Sequence, residues 1–134
     1  LILFFNRFFT AFNYQLPSKT LISAFLIGIS VGIALVAIVS FKKNKTTVNP
    51  AKPENTSIIV NTGMYRYSRN PMYLAMAIFL FGIALFCENI LSILPVPLFI
   101  WFIAKYQIVP EERVLALHFG DNYKQYLLEV RRWI

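Results

Sequence analysis

The sequence predicts an all-α integral membrane protein, a bundle of three to four transmembrane helices. Of its 134 residues, 57% are hydrophobic and only 14% are charged, and the apolar residues form long runs. A soluble domain is typically about 45–50% apolar and about 25% charged. The length suits one domain of a few spans, so we treat residues 1–134 as a single domain.

The chain opens on a Phe-rich segment, residues 1–16, which several polar side chains interrupt. This segment is too short and too polar to span a bilayer, so it is either the tail of a truncated first span or an interfacial helix. The next apolar run, residues 21–41, carries no charge and has the length of about 20 residues that a span requires. Gly28 and Gly32 form a GxxxG motif in it, which predicts close packing of this helix within the bundle.

A long polar connection follows at residues 42–70. Pro50 and Pro53 exclude one continuous helix there, and Ser57 to Val60 could dip to the membrane surface or form a short strand. Near its end Gly63 should turn the chain. Asn70 should then cap a helix that begins at Pro71, where proline has a suitable φ and needs no N–H donor.

Two further spans are predicted at residues 71–87 and 90–109. The connection between them is so short, Glu88 and Asn89, that the two spans should form an antiparallel hairpin. Pro95 and Pro97 fall within the second of these spans and should kink it.

The remaining tail, residues 110–134, is amphipathic. Gly120 can close one helix, and Asp121 can cap the next. The last helix should present one apolar face to the membrane or to the bundle. The residues of that face are Tyr123, Tyr126, Val130 and Trp133.

Basic residues dominate the charge: 13 Lys and Arg against 6 Asp and Glu give a formal net charge of +7. They lie beside the apolar runs, which fits the positive-inside rule better than nucleic-acid binding. Six lie in residues 42–70 and five lie from Lys105 onward, so both segments should face the cytoplasm. Cys87 and His118 are each the only residue of their type, which argues against a disulfide framework, a metal centre or a Ser/His/Asp triad.

Two charged pairs are candidates for binding a ligand. Arg66 and Arg69 precede the free N–H groups and positive dipole end of the helix at Pro71, where they either seat an anionic group or anchor the chain at the membrane. Glu111 and Glu112 end the last span, where paired acids are costly unless solvated or partnered, although acids are also common in a first helical turn. If the pairs converge, the carboxylates can bind hydroxyl or amino groups and the guanidinium groups a carboxylate.

Two runs of the sequence, GMYRYSRNPMY at residues 63–73 and PEERVLALHFGDNYKQYLLEVRRW at residues 110–133, resemble the isoprenylcysteine carboxyl methyltransferase and phospholipid methyltransferase group of integral membrane enzymes. TTVNP, Thr46 to Pro50, resembles a motif that precedes the first run in bacterial members. The three motifs stand in order with matching spacing, and the resemblance covers about residues 20–134. It implies S-adenosylmethionine-dependent methyl transfer, without a metal, to a lipophilic acceptor at the cytoplasmic face of a bacterial inner membrane.

The resemblance also implies roles for individual residues. The cofactor pocket would be lined by Arg69, Asn70, Pro71 and Tyr73. Glu111 and Glu112 would hold the ribose or the amino-acid part of the cofactor. Tyr123, Tyr126 and Arg132 would close the pocket and face the acceptor. Either Arg132 or Arg66 would orient an acceptor carboxylate or phosphate. Asn70 replaces a His of many eukaryotic members and cannot titrate near neutral pH.

Two other functions stay open at this point. One is an NADPH-dependent steroid- or sterol-type reductase, although such enzymes are generally longer. The other is a non-catalytic membrane subunit or small transporter, against which stands the lack of an unpaired charge deep within a span. The sequence leaves open whether the acceptor is a prenylcysteine-type carboxylate, a lipid head group such as a phospholipid amine, or another small hydrophobic acid or thiol, and it leaves the oligomeric state open.

Overall fold

The computed structural model describes residues 1–43 and 59–134, except for the side chain of Phe41, and the regular structure in these ranges is helical. The α-helices are α1 (Ile2–Phe8), α2 (Lys19–Lys43), α3 (Pro71–Phe86), α4 (Pro95–Ile103), α5 (Val109–Phe119) and α6 (Asp121–Glu129). The all-α prediction is therefore confirmed for this part of the chain. The motif at Thr46 to Pro50, the expected break at Pro50 and Pro53, and the first half of Ser57 to Val60 lie outside the described residues.

Two stretches are long and apolar enough to cross a membrane, Lys19–Ser40 with 22 residues and Ile90–Phe119 with 30 residues. Only 17% and 22% of their most apolar windows are buried within the protein. Their apolar side chains therefore face outward, as expected of helices in lipid and not of the core helices of a soluble protein. α3 has 16 residues, or about 24 Å at 1.5 Å per residue, so a total of three to four spans stays a prediction.

The last apolar stretch is not one regular helix. It begins with a 3-10 turn at Ile90–Ile93, continues as α4, passes through a π-helical segment at Ala104–Ile108 and ends as α5. Pro95 and Pro97 lie within this stretch as predicted, where the 3-10 turn gives way to α4, and the kink expected from them stays a prediction. Pro95 is the first residue of α4, where its missing N–H would have had no helical partner.

α2 and α3 pack through small residues. Ser30 Oγ donates a buried hydrogen bond to the Ala75 carbonyl at 2.9 Å. A Cβ atom on Gly82 would lie 3.2 Å from Ile27 Cγ1, so α3 lies in close contact with α2 here. The packing role predicted for Gly28 and Gly32 is wrong, because no described atom lies within 4 Å of a Cβ atom built on either glycine.

The tight turn at Cys87, Glu88 and Asn89 joins α3 to the 3-10 turn at Ile90–Ile93, close to the two residues predicted, and the N-terminal segment docks on it. Asn89 is fully buried, and its amide donates to the Phe9 carbonyl at 2.8 Å and to Asn13 Oδ1 at 2.7 Å. Its Oδ1 accepts the Leu91 N–H at 2.9 Å. One buried amide thus joins the N-terminal segment to the hairpin.

The α2–α3 contact predicts different outcomes for two glycines. In Gly82→Leu the added side chain must displace Ile27 or the α2 backbone, and overpacking of this kind costs about 1–3 kcal/mol. Gly32→Leu adds the same atoms in open space and serves as the matched control. We expect thermal unfolding of the detergent-solubilised protein to begin several degrees lower in the Gly82 variant only. Equal shifts in the two variants would contradict this packing.

Candidate active site

The sequence-predicted site residues come from four separate segments, and most of them meet where α3 begins. Tyr73 lies in the first turn of α3, Glu111 and Glu112 lie in the first turn of α5, and Arg132 follows α6. Arg69 precedes α3 and is joined to Glu112 by an ion pair. The helical hairpin returns the start of α5 to the start of α3, which explains how residues nearly 40 positions apart come into contact.

Glu111 faces α3. The Tyr73 hydroxyl donates to Glu111 Oε1 at 2.8 Å, and Gln107 Nε2 donates to the same oxygen at 2.6 Å. Gln107 lies in the π-helical segment, one turn before Glu111, and π-bulges are frequent at functional sites. Sequence reasoning missed Gln107, although an amide within an apolar run was a signal that could have found it.

Glu112 faces the C-terminal segment, residues 130–134. Arg132 donates two hydrogen bonds to the Glu112 carboxylate, from Nε to Oε1 at 3.2 Å and from Nη2 to Oε2 at 2.7 Å. Arg69 Nη1 lies 3.3 Å from Oε1. Side chains of Arg69 and Glu112 are only 14% and 16% exposed, so these are charge-assisted contacts with little screening by water. The hydrogen bond to Glu112 raises the pKa of Arg132 further above its usual value.

The residues before α3 hold the C-terminal segment by its backbone. The Arg69 N–H donates to the Arg131 carbonyl at 3.0 Å, and Asn70 Nδ2 donates to the Arg132 carbonyl at 3.0 Å. Ser68 Oγ, which sequence reasoning missed, contacts the same carbonyl at 3.5 Å. Asn70 does precede α3 as predicted, and Pro71 is buried at its first position, but the expected side-chain cap is absent. The side-chain amide of Asn70 donates to the Arg132 carbonyl instead of capping α3.

Tyr123 and Tyr126 lie in a buried cluster with Val130. The Tyr126 hydroxyl donates to the Tyr65 carbonyl at 2.8 Å, which fixes α6 against the turn that Gly63 opens with a positive φ of 59°. Burial, with the Glu112 carboxylate nearby, raises the pKa of Tyr123 to about 12. Both phenols are therefore neutral at physiological pH; both pack in the cluster, and Tyr126 also donates a hydrogen bond.

Two sequence predictions about the tail are wrong, and Arg66 lies outside the ion pairs of the site. Trp133 follows the end of α6 at Glu129, so it is not part of the predicted helical face. Asp121 pairs with Lys124 at 2.8 Å and makes no capping bond, because Gly120 already turns the chain with a positive φ. Arg66 is exposed, and the ion pairs among the described residues do not include it.

Comparison with known protein families shows which family this chain belongs to. The family model of phospholipid methyltransferase matches residues 18–122, most of the chain. The chain belongs to the phospholipid methyltransferase family. Tyr123, Tyr126 and Arg132 lie just beyond the matched residues.

Two yeast enzymes are similar to this chain. The protein-S-isoprenylcysteine O-methyltransferase of Schizosaccharomyces pombe is 30% identical over 94 residues, which are 70% of this chain and 40% of that enzyme. The enzyme of the same name from Saccharomyces cerevisiae is 26% identical over 117 residues, which are 86% of this chain and 49% of that enzyme. This chain therefore spans less than half the length of each yeast enzyme.

A third relative is an uncharacterized protein of Haemophilus influenzae, 41% identical over 63 residues, which are 47% of this chain and all of that protein. No solved structure matches the chain. Membership of the methyltransferase family, expected from the three sequence motifs, is thus confirmed by the family model and by both yeast enzymes.

The backbone contacts at the C-terminal segment yield a test. Asn70→Ala removes one hydrogen bond to the Arg132 carbonyl, and such a bond contributes about 0.5–1.5 kcal/mol. We expect the Arg69 amide, which is protected by the neighbouring Arg131 carbonyl, to exchange its hydrogen about 2–10-fold faster. Hydrogen exchange read by mass spectrometry measures this, with Asn122→Ala on the exposed side of α6 as the control. Unchanged exchange at Arg69 would show that Asn70 does not hold the segment.

Proposed function

We propose that the chain catalyses methyl transfer from S-adenosylmethionine to a lipophilic acceptor at the cytoplasmic face of the membrane. The observation that carries the proposal is the convergence of Tyr73, Glu111, Glu112, Arg69 and Arg132 at one end of the bundle, in a chain of the phospholipid methyltransferase family. When bound, S-adenosylmethionine supplies a methyl group on a positively charged sulfonium that needs no metal for activation.

The groups at the site fit such a cofactor. Among the described residues, the hydrogen bonds that reach the Glu111 carboxylate both go to Oε1. Its Oε2 is thus available to accept from a ribose hydroxyl or an ammonium group. Arg69 Nε is enclosed and has no hydrogen-bond partner in residues 1–43 and 59–134, so an anionic oxygen such as a carboxylate would satisfy it.

The two glutamates then have different tasks. Both oxygens of Glu112 are occupied by the guanidinium groups of Arg132 and Arg69, so it positions those arginines. Glu111 keeps an oxygen for the cofactor and is itself oriented by Tyr73. Asn70 and Pro71 set the position of Arg69 at the start of α3, and Tyr123 and Tyr126 close the site from α6.

The chemistry that remains for the protein is placement. Holding donor and acceptor in line can contribute about 7–11 kcal/mol of the barrier, and a site with enclosed arginines and phenols also excludes water. The acceptor would reach the site along the outward apolar surface of the helices, since that surface is continuous with lipid. Arg66, which is exposed near the start of α3, is available to orient an acceptor carboxylate or phosphate.

The cytoplasmic orientation rests on charge. Of the 13 basic residues, all but Arg7 and Lys19 lie in residues 42–70 or from Lys105 onward. Two of them, Arg69 and Arg132, lie at the end of the bundle that holds the site. The positive-inside rule places that end in the cytoplasm. Attachment of a reporter enzyme at the C-terminus would test this orientation.

Binding of S-adenosylhomocysteine separates the roles of the two glutamates. Glu111→Gln keeps an oxygen for Tyr73 but loses the charge, so we expect affinity to fall about tenfold or more with little loss of stability. Glu112→Gln loosens two arginines and should lower both affinity and thermal stability. Calorimetry on the detergent-purified chain measures affinity, with Glu129→Gln on α6 as the control.

Unchanged affinity in both variants would remove the glutamates from the cofactor site. If the folded parent protein binds NADPH and not S-adenosylhomocysteine, the reductase function is favoured instead. If it binds neither, a non-catalytic membrane subunit is favoured.

The two candidate arginines for the acceptor are separable by kinetics. Arg66→Ala should raise the acceptor KM about fivefold or more while affinity for S-adenosylhomocysteine stays unchanged, because Arg66 is outside the ion pairs of the site. Arg132→Ala should lower cofactor affinity as well, because Glu112 loses its bidentate partner. Arg131→Ala, an exposed neighbour, is the control. An unchanged acceptor KM in Arg66→Ala would exclude that arginine from acceptor binding.

A further inference from the structure

A second polar cluster lies at the opposite end of α3, far from the candidate active site. α3 has 16 residues, which separates its two ends by about 24 Å. At this far end Lys19 Nζ lies 2.6 Å from Glu88 Oε2, and the Leu16 N–H donates to Glu88 Oε1 at 2.9 Å. Glu88 has a positive φ of 50°, which is uncommon for a residue with a side chain. The methyl-transfer proposal uses none of these residues.

A cavity of about 620 Å³ opens beside this ion pair. Its polar lining is one ammonium group, one carboxylate, three amides and one phenol. These groups belong to Lys19, Glu88, Asn6, Asn13, Gln15 and Tyr14. The Tyr14 hydroxyl at its wall is enclosed and has no hydrogen-bond partner among the described residues.

The cavity also has an apolar side that leads outward. Leu3 and Phe86 line it, and these side chains are 71% and 50% exposed. Phe86 ends α3, so the apolar side continues onto the helix surface that faces lipid. A molecule with a polar head in the cavity could therefore extend an acyl chain along α3 without leaving an apolar surface.

We propose that this cavity binds the head group of a zwitterionic phospholipid, with its phosphate at Lys19 and its ammonium at Glu88. The bound lipid would be a structural lipid at the end of the bundle opposite the proposed site of methyl transfer, and it is not the methyl acceptor. This proposal does not depend on the proposed function.

Charge and hydrogen-bonding capacity favour a zwitterion over an anion. The cavity lining has one positive and one negative group. A ligand with a net negative charge would be attracted by Lys19 and repelled by Glu88. Lys19 has three N–H donors and uses one for Glu88, and each oxygen of Glu88 can accept a second hydrogen bond. A phosphate and an ammonium two carbons apart can thus extend the existing ion pair into a four-charge cluster without breaking it.

The N-terminal segment is held in a way that keeps such a cavity open. The Tyr14 N–H donates to the Glu88 carbonyl at 2.8 Å, and Ser92 Oγ donates to the Ile2 carbonyl at 3.1 Å. With the contacts of Asn89, these bonds fix the segment at both its ends. Asn6 and Gln15, which lie between and after those anchor points, both line the cavity.

Lipid binding measured by native mass spectrometry tests the proposal. The detergent-purified full chain is mixed with phosphatidylethanolamine, phosphatidylglycerol or phosphoethanolamine at equal concentrations. We expect one phosphatidylethanolamine to be retained about tenfold more strongly than phosphatidylglycerol. We expect little binding of phosphoethanolamine, which lacks the acyl chains. Lys19→Met should abolish this preference, whereas Lys124→Met, which breaks the exposed ion pair on α6, should keep it.

A second variant guards against misfolding of the first. Asn6→Trp fills the cavity and leaves the Lys19–Glu88 ion pair intact, so it should reduce phosphatidylethanolamine retention to the same degree. Equal retention of the zwitterionic and anionic lipids by the parent, or unchanged retention in Asn6→Trp, would overturn the proposal. Binding of phosphoethanolamine as strong as that of the lipid would assign the cavity to a soluble phosphate ester and would overturn the lipid assignment.

Discussion

The Glu112 side chain is only 16% exposed, and burying an unpaired charge is costly. Its carboxylate therefore needs positively charged partners. The two arginines that neutralise it come from different parts of the chain, Arg69 before α3 and Arg132 after α6. Their backbones are joined as well, through the Arg69 N–H and the Arg131 carbonyl. This one constraint brings together the starts of α3 and α5 and the C-terminal segment, and Tyr73 and Glu111 meet as a consequence.

The helices that carry these residues associate without a large buried core. α2 and α3 meet through Ser30 and Gly82, while large apolar side chains such as Leu21 and Phe25 point outward at 72% and 69% exposure. Lipid removes the hydrophobic drive for helix association, so close contact and interhelical hydrogen bonds must supply it. Asn89 serves the same purpose at the far turn, where one buried amide makes three hydrogen bonds.

The sequence allowed the helices to be located well and their contacts only in part. Apolar run length placed α2 and α3 to within two residues of their observed ends, and the motif resemblance identified the acidic pair and its arginines. Length and composition do not show which face of a helix meets a neighbour, so Gly28 and Gly32 were assigned a contact that Gly82 makes. Nor do local rules foresee a partner 62 positions away, which is why Asn70 was expected to cap α3 and instead holds the Arg132 carbonyl.

The adjacent acids Glu111 and Glu112 belong to one motif, which suggests the same role for both, but they have different partners in the structure. Successive residues on a helix point about 100° apart, so Glu111 and Glu112 face different neighbours. Glu112 gives both oxygens to guanidinium groups that tie the chain together, and a ligand could compete for it only by loosening that tie. Within the described part of the chain, Glu111 accepts hydrogen bonds from neutral donors, Tyr73 and Gln107, on one oxygen only. If the proposed cofactor binds here, Glu112 is the acid that keeps the arginines in place and Glu111 is the acid that contacts the cofactor.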